Sequence, residues 1–288
     1  MKQKRLLTML CLIMVFVGGC AYAQELEQGT TPVWTYPVSP SELQKEYIRL
    51  VNKESLLPSD YVPEDLVKIK VKKTSSTAIQ MCQFVSDALD QMFAAALEDG
   101  ITLYAHSGYR SYRTQNTMYK NRLEQNNGKD DGVVAYPGAS DHQTGLGIDV
   151  ISKAWIGKKF NAEFAKTAEA KWMAENCPDY GFVIRYPQGK EDITNIIYEP
   201  WHLRYVGVEA AKYMTANGLT LEEFTLEWQQ VMLEYEANGG NAAQVFSVTV
   251  PSGTESEQPQ SQSTSSSGAV TLDEVGEDGD PEVSLFGY

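Results

Sequence analysis

The stretch GFVIRYPQGKEDITNIIYEPWHLRYV, residues 181–206, decides the fold class. Gly181 to Tyr186 and Ile193 to Val206 are rich in β-branched and aromatic residues, and Pro187 to Asp192 between them has turn composition, so the segment reads as two paired strands. Around it helices alternate with few strands, and no G-x-G-x-x-G follows a strand. The expected class is therefore α+β, a small antiparallel sheet packed with helices, rather than a nucleotide-binding α/β sheet.

Outward from that segment the periodicity is helical. From Ser76 to Asp99 the apolar residues Ile79, Cys82, Phe84, Val85, Ala88, Leu89, Met92, Phe93, Ala96 and Leu97 recur at helical spacing, and Gly100 closes the run as a C-cap. Ile101 to His106 is β-like, and Tyr112 to Gln125 predicts a second helix. Residues 126–141, rich in Gly, Asn, Asp and Pro, read as a loop that delivers His142. Further helices are expected over residues 161–176, over Val208 to Asn217 before Gly218, and over Leu221 to Glu236 before Asn238-Gly239-Gly240. Near the start, Ser41 with Gln44 has the spacing of a capping box and opens an amphipathic stretch, Glu42 to Val51.

The chain has three histidines, and two of them, His142 and His202, sit in polar, glycine-containing segments rather than on an apolar helix face. His142 and Asp149 are separated by six residues including Gly145 and Gly147, a stretch able to bend so that both side chains aim at one point. Glu199-Pro200-Trp201-His202 supplies a second imidazole and another carboxylate. Two histidines and one carboxylate with an open fourth position is the donor pattern of a catalytic zinc site. In a regular strand Glu199 and His202 would face opposite sides, so a kink or bulge at Pro200 is expected to bring both toward the metal. His106 reads as structural.

At these residues the sequence resembles the zinc D-alanyl-D-alanine carboxypeptidases, the VanY-like branch of a group that includes lysostaphin-type peptidases and the hedgehog signalling domain. Ser140-Asp141-His142-Gln143-Thr144-Gly145-Leu146-Gly147-Ile148-Asp149 is similar to the family's S-x-H-x-x-G-x-A-x-D motif, with Gly147 in place of Ala, and Glu199-Pro200-Trp201-His202 to its E-x-W-H. Leu50 to Lys53, Leu57-Pro58, Tyr61 to Pro63, and Ser107 to Ser111 with Gln115 extend the likeness over roughly residues 44–219. The resemblance implies that His142, Asp149 and His202 hold Zn2+, that Glu199 is the general base, and that Arg110 stabilises the oxyanion. It implies that Ser140 and Gln115 bind the substrate's terminal carboxylate and that Tyr109 and Trp201 shape the pocket. The implied reaction is release of a C-terminal D-alanine from peptidoglycan stem peptides. An L,D-carboxypeptidase using the same site, and a non-catalytic zinc-containing wall-binding or signalling module, are the alternatives.

The ends of the chain speak to location. Lys2, Lys4 and Arg5, then the apolar run Leu6 to Val17, have the layout of a secretory signal. Ala21-Tyr22-Ala23 fits a cleavage site, giving a signal over residues 1–23, whereas Val17-Gly18-Gly19-Cys20 resembles a lipobox that would make Cys20 a lipid anchor. Both readings place the mature protein outside the cytoplasm, in the cell envelope or secreted. Residues 24–40 are expected to be a linker, 41–248 the catalytic domain, and 249–288 a disordered acidic Ser/Gln-rich tail with eight Asp or Glu and no Lys or Arg. The net charge of −14 provides no basic stripe for nucleic acid. Outside the signal only Cys82 and Cys177 remain, which either pair or lie as two buried thiols.

Overall fold

The computed structural model describes residues 32–241. The expected signal, the Cys20 anchor, residues 24–31 of the linker, residues 242–248 of the domain and the acidic tail lie outside the described residues. In chain order the elements are α1 (Pro40–Leu43), β1 (Leu66–Lys68), β2 (Gln80–Cys82), α2 (Gln83–Glu98), β3 (Leu103–Ser107), α3 (Tyr112–Gln125), β4 (Gly147–Ser152), α4 (Ala168–Asn176), β5 (Phe182–Ile184), α5 (Glu191–Thr194), β6 (His202–Tyr205), α6 (Val208–Asn217) and α7 (Leu221–Ala237). β1 and β2 form a two-stranded sheet, and the main sheet has the order β3-β4-β6-β5 with every pair antiparallel. This is the α+β class expected from residues 181–206.

β4 is buried along its whole length, being covered on both faces. Val85, Leu89, Met92 and Ala96 of α2 form one stripe that packs with Leu103, Ala105, Ile148 and Val150 of the sheet. A second cluster joins Val183 and Val206 to Ala210, Ala211 and Met214 of α6 and to Leu221 and Phe224 of α7. α7 starts with a complete capping box: Thr220 Oγ accepts from the Glu223 N–H, and the Glu223 carboxylate accepts from the Thr220 N–H. Thr220→Ala is expected to cost about 1 kcal/mol, lowering Tm by about 2 to 4 °C for a domain of this size in a thermal melt.

Several local expectations give way to tertiary partners. The strand pair over 181–206 is shorter than its composition predicts: only Phe182–Ile184 and His202–Tyr205 pair, and the residues between them include α5, ended by Asn195 at a φ of 58°. The helix expected over Ser76 to Asp99 begins at Gln83, because Gln80 to Cys82 pair with β1 and the Gln83 N–H is taken by Asp65. α1 begins at Pro40 with Ser39 at its N-cap, so Ser41 caps nothing; proline at the first helical position lacks the N–H that would go unpaired there. Glu42 to Val51 is accordingly not one helix but a short turn of α1 followed by a 3-10 turn at Glu46–Ile48.

Residues 32–40 are not a free linker, since Tyr36 and Val38 are buried in the second cluster and Trp34 packs edge-on against Tyr36 and Tyr235. The helix expected over 161–176 is divided at Thr167, whose hydroxyl caps α4. Cys82 and Cys177 are separate buried thiols, each donating to a local carbonyl, that of Thr144 at 3.5 Å and that of Phe182 at 3.3 Å respectively.

Candidate metal centre

Asp149 of β4 and His202 of β6 are direct cross-strand partners, so their side chains rise from the same face of the sheet. His202 Nδ1 lies 2.9 Å from Asp149 Oδ1. His142 arrives from a 3-10 turn, Asp141–Thr144, with Nε2 3.4 Å from Asp149 Oδ2. That turn lies against β4 because residue 147 is glycine: a Cβ there would come within 2.8 Å of the Asp141 Cβ. The ligand atoms of His142, Asp149 and His202 all lie within 4.8 Å of one another.

The protonation states suit a metal. His142 Nδ1 is 2.8 Å from the Gly108 carbonyl, which can only accept, so Nδ1 carries the proton and the Nε2 lone pair is left for the site. Burial, with Arg110 nearby, lowers the His142 pKa to about 4 and keeps the imidazole neutral at pH 7. Burial alone would raise Asp149, yet His142 and His202 hold its carboxyl well below the usual range. Two imidazoles and an ionised carboxylate converging on one point are a donor set that fits zinc.

Gly108 sits close under this arrangement, where a Cβ would meet Ile79 Cγ2 at 2.6 Å and the Gln80 carbonyl at 2.7 Å. Gly108→Ala is therefore expected to displace the carbonyl that orients His142. By the usual cost of losing such a partner, metal affinity should fall by about 10- to 100-fold in a competitive chelator titration.

Glu199 reaches the site through a turn. The His202 N–H donates to the Glu199 carbonyl at 3.1 Å, closing a turn over Pro200 and Trp201, so the expected kink takes that form rather than a bulge. The turn cancels the alternation of a straight strand and leaves Glu199 Oε2 4.0 Å from His202 Nδ1. Burial, and then the charge of Asp149, push the Glu199 carboxyl well above its ordinary pKa, with Arg110 opposing.

One cavity, with about 370 Å³ of empty space, is lined by Arg110, Gln115, Ser140, His142, Asp149, Glu199, Trp201 and His202 among others. Arg110 is held by Gln115 Oε1 at 2.9 Å and Ser107 Oγ at 3.0 Å, and its N–H donates to the His142 carbonyl. Gln115 also donates to the Ala135 carbonyl at 2.7 Å, so it ties Arg110 to the wall of the cavity. Trp201 is buried against Phe160. Tyr109 does not line this cavity, and its N–H donates to the Gln80 carbonyl. His106 is not one of the convergent ligand set; its Nδ1 lies 3.1 Å from the Thr74 hydroxyl and its ring rests on Phe160.

Sequence reading missed the support beneath the site. Asp141, fully buried, accepts from Arg185 Nε at 2.8 Å and from Arg204 Nη1, and Glu222 of α7 receives both Arg185 terminal nitrogens at 2.8 and 2.7 Å. Arg204 also donates to the carbonyls of Tyr47 and Arg49. Two buried cations are thus matched by two carboxylates, fixing the residue next to His142 to Arg185 just past β5, to β6 and to α7. The available signal was an arginine inside each of two apolar strand segments, VIRY and HLRYV.

Comparison with known proteins agrees with this geometry. The VanY family model, described as D-alanyl-D-alanine carboxypeptidase, matches residues 78–208. The putative carboxypeptidase YodJ of Bacillus subtilis (strain 168) is 47% identical over 181 residues, which cover 62% of this chain and 66% of that protein, just under two thirds of its length. The solved structure of the LdcB LD-carboxypeptidase aligns at 46% identity with a TM-score of 0.58, covering 61% of this chain and 84% of that one. A mutant of the vancomycin resistance D,D-pentapeptidase VanY, solved in complex with Zn(II), aligns at 30% identity with a TM-score of 0.50, covering 62% of this chain and 98% of that one.

Proposed function

The chain belongs to the VanY-like family of carboxypeptidases, and from that premise we propose that it is a zinc enzyme releasing a C-terminal D-alanine from peptidoglycan stem peptides. The observation that carries the reading is the convergence of His142, Asp149 and His202 in one cavity with Glu199 and Arg110. His142, Asp149 and His202 would hold the ion. Bound there, zinc supplies an acidified water and a Lewis acid for the scissile carbonyl.

The protein's own groups divide the remaining work. Glu199, buried and with a raised pKa, would take a proton from water and later return it to the leaving amine. Arg110 presents a permanent positive charge toward the cavity, favouring the negative charge that develops on the carbonyl oxygen. Ser140, in the cavity wall, would meet the terminal carboxylate, and Gln115 would contribute by holding Arg110. The signal-like start of the chain supports work outside the cytoplasm, where such peptides occur.

Which stem peptide is cut is the finer question. The higher identity to an LD-carboxypeptidase, 46% against 30% for the D,D-pentapeptidase, favours a tetrapeptide ending in one D-alanine. Cleavage of D-Ala-D-Ala, implied by the sequence resemblance and by the family model, is the second reading. Mass spectrometry of products from defined tetrapeptide and pentapeptide separates them. Chelation should abolish D-alanine release and added zinc restore it; release that persists in a metal-free preparation overturns the zinc reading.

A further inference from the structure

We propose that the acidic segment 273–282 of this chain docks on a lysine row along the β3 edge of the main sheet, on the face that carries the candidate metal centre. The row starts in β1 and continues past it. Lys68, Lys70 and Lys72 are exposed and alternate with Ile69, which is buried, and Val71, which packs against the core. Three lysines therefore project from one face of an extended segment, at intervals of about 7 Å.

This segment lies along the outer edge of the main sheet. Lys73 pairs in parallel with Ala105 of β3, the Ala105 N–H donating to the Lys72 carbonyl and the Thr74 N–H to the Ala105 carbonyl. The side-chain alternation then puts Lys70 and Lys72 on the face carrying Tyr104 and His106, opposite the buried Ala105. Tyr104 pairs with Ile151 of β4, two residues from Asp149, so this is also the face of the candidate metal centre. Past the end of β4, Lys153, Lys158 and Lys159 add three more exposed cations, in the loop whose Phe160 bridges His106 and Trp201.

No carboxylate pairs with these groups among the described residues, and Lys158 Nζ lies 4.9 Å over the Trp155 ring. Residues 66–80 and 152–162 contain no Asp or Glu, and none of the six exposed lysines joins an ion pair among the described residues. Lys53, Lys166, Lys190 and Lys212, by contrast, each meet a carboxylate at 2.7 or 2.8 Å. In a chain of net charge −14 such a concentration of unpaired cations calls for an anionic occupant.

The complementary charge is in the same chain. DEVGEDGDPE, residues 273–282, carries six carboxylates and no cation. The 31 residues from 242 to 272 can span up to about 100 Å, more than the width of a domain this size. Tethering makes the contact intramolecular, so weak surface pairs act at a high effective concentration. Because each pair is solvent-exposed, docking should weaken as salt shortens the screening length from about 10 Å at 0.1 M to about 3 Å at 1 M.

The test is carbodiimide cross-linking of the full chain, read by mass spectrometry. At low salt, cross-links from Asp273 to Glu282 should fall on Lys68, Lys70, Lys72, Lys153, Lys158 and Lys159, at least 5-fold above those on Lys120, Lys129 and Lys171. They should disappear in 1 M NaCl and in K70E/K72E/K158E/K159E, whose far-UV spectrum reports that it has folded. Cross-links spread evenly over all lysines, or formed only between an isotope-labelled and an unlabelled copy, would overturn the proposal. So would equal affinity of inorganic polyphosphate for the full chain and for a chain ending at Asn241, since the row would then be open to an external polyanion. Loss of D-alanine release bears only on the enzymatic reading, because the cross-linking does not depend on activity.

Discussion

Glu199→Gln is expected to lower the rate of D-alanine release by about 10²- to 10⁴-fold, the usual contribution of a positioned general base, while leaving the zinc content of the purified protein unchanged. The separation follows from the geometry. His142, Asp149 and His202 form the convergent set, and Glu199 stands beside it, 4.0 Å from His202 Nδ1. Glutamine keeps the shape and lacks the proton acceptor. His142→Ala should instead remove metal and activity together, because it deletes a donor whose tautomer is set by the Gly108 carbonyl. Elemental analysis alongside kcat and KM for a stem peptide distinguishes the two. If Glu199→Gln lost its zinc in step with its activity, Glu199 would belong among the ligands.

Asp141→Ala should be the most damaging substitution for stability outside the proposed metal ligands. It removes the carboxylate between two buried guanidinium groups. Arg185 would keep Glu222, but Arg204 would keep only carbonyl partners. Breaking a buried pair by deleting one member costs about 3 to 5 kcal/mol, because a charge is left without its counterion. That is a large part of an ordinary domain's 5 to 15 kcal/mol, and urea denaturation should show it directly.

The same group gives the acid limb of stability a definite sign. Burial would raise the Asp141 pKa, but Arg204 and Arg185 hold it below the ordinary 3.8. A depressed folded pKa means that the unfolded chain takes up the proton first, so Asp141 stabilises the fold above about pH 4 and this contribution is lost as pH falls further. Asp141→Asn should therefore be less stable than the parent at pH 7, with the difference narrowing as pH falls below 4. A difference that stayed constant or widened over that range would show that the pair does not act through the carboxylate charge.

The contrast between these two sites shows what could be read from the chain. His142, Asp149, Glu199 and His202 stand out in sequence because histidines are few, glycines surround the first pair, and a proline separates the second. Asp141 is next to His142, yet its importance is invisible without knowing that Arg185, Arg204 and Glu222, 44, 63 and 81 residues away, close around it. Residues 32–40 likewise look like linker by Pro32, Pro37 and Pro40, and Tyr36 and Val38 are buried only because α6 and α7 offer them an apolar surface.

By itself the sequence determined the helices with a clear 3.6-residue stripe or local caps, the α+β class, and the residue types available for metal chemistry. α3 and α6 run over the predicted residues because their hydrogen bonds close within four residues and their ends carry Ser111 and Gly218. Tertiary structure alone decided where residues 181–206 become strand, that Asp149 faces His202 across β4 and β6, and that the candidate metal centre rests on a buried ion cluster. Strands and buried charges are completed by partners distant in sequence, so composition marks the residues able to pair and the packed fold selects the pairs that form.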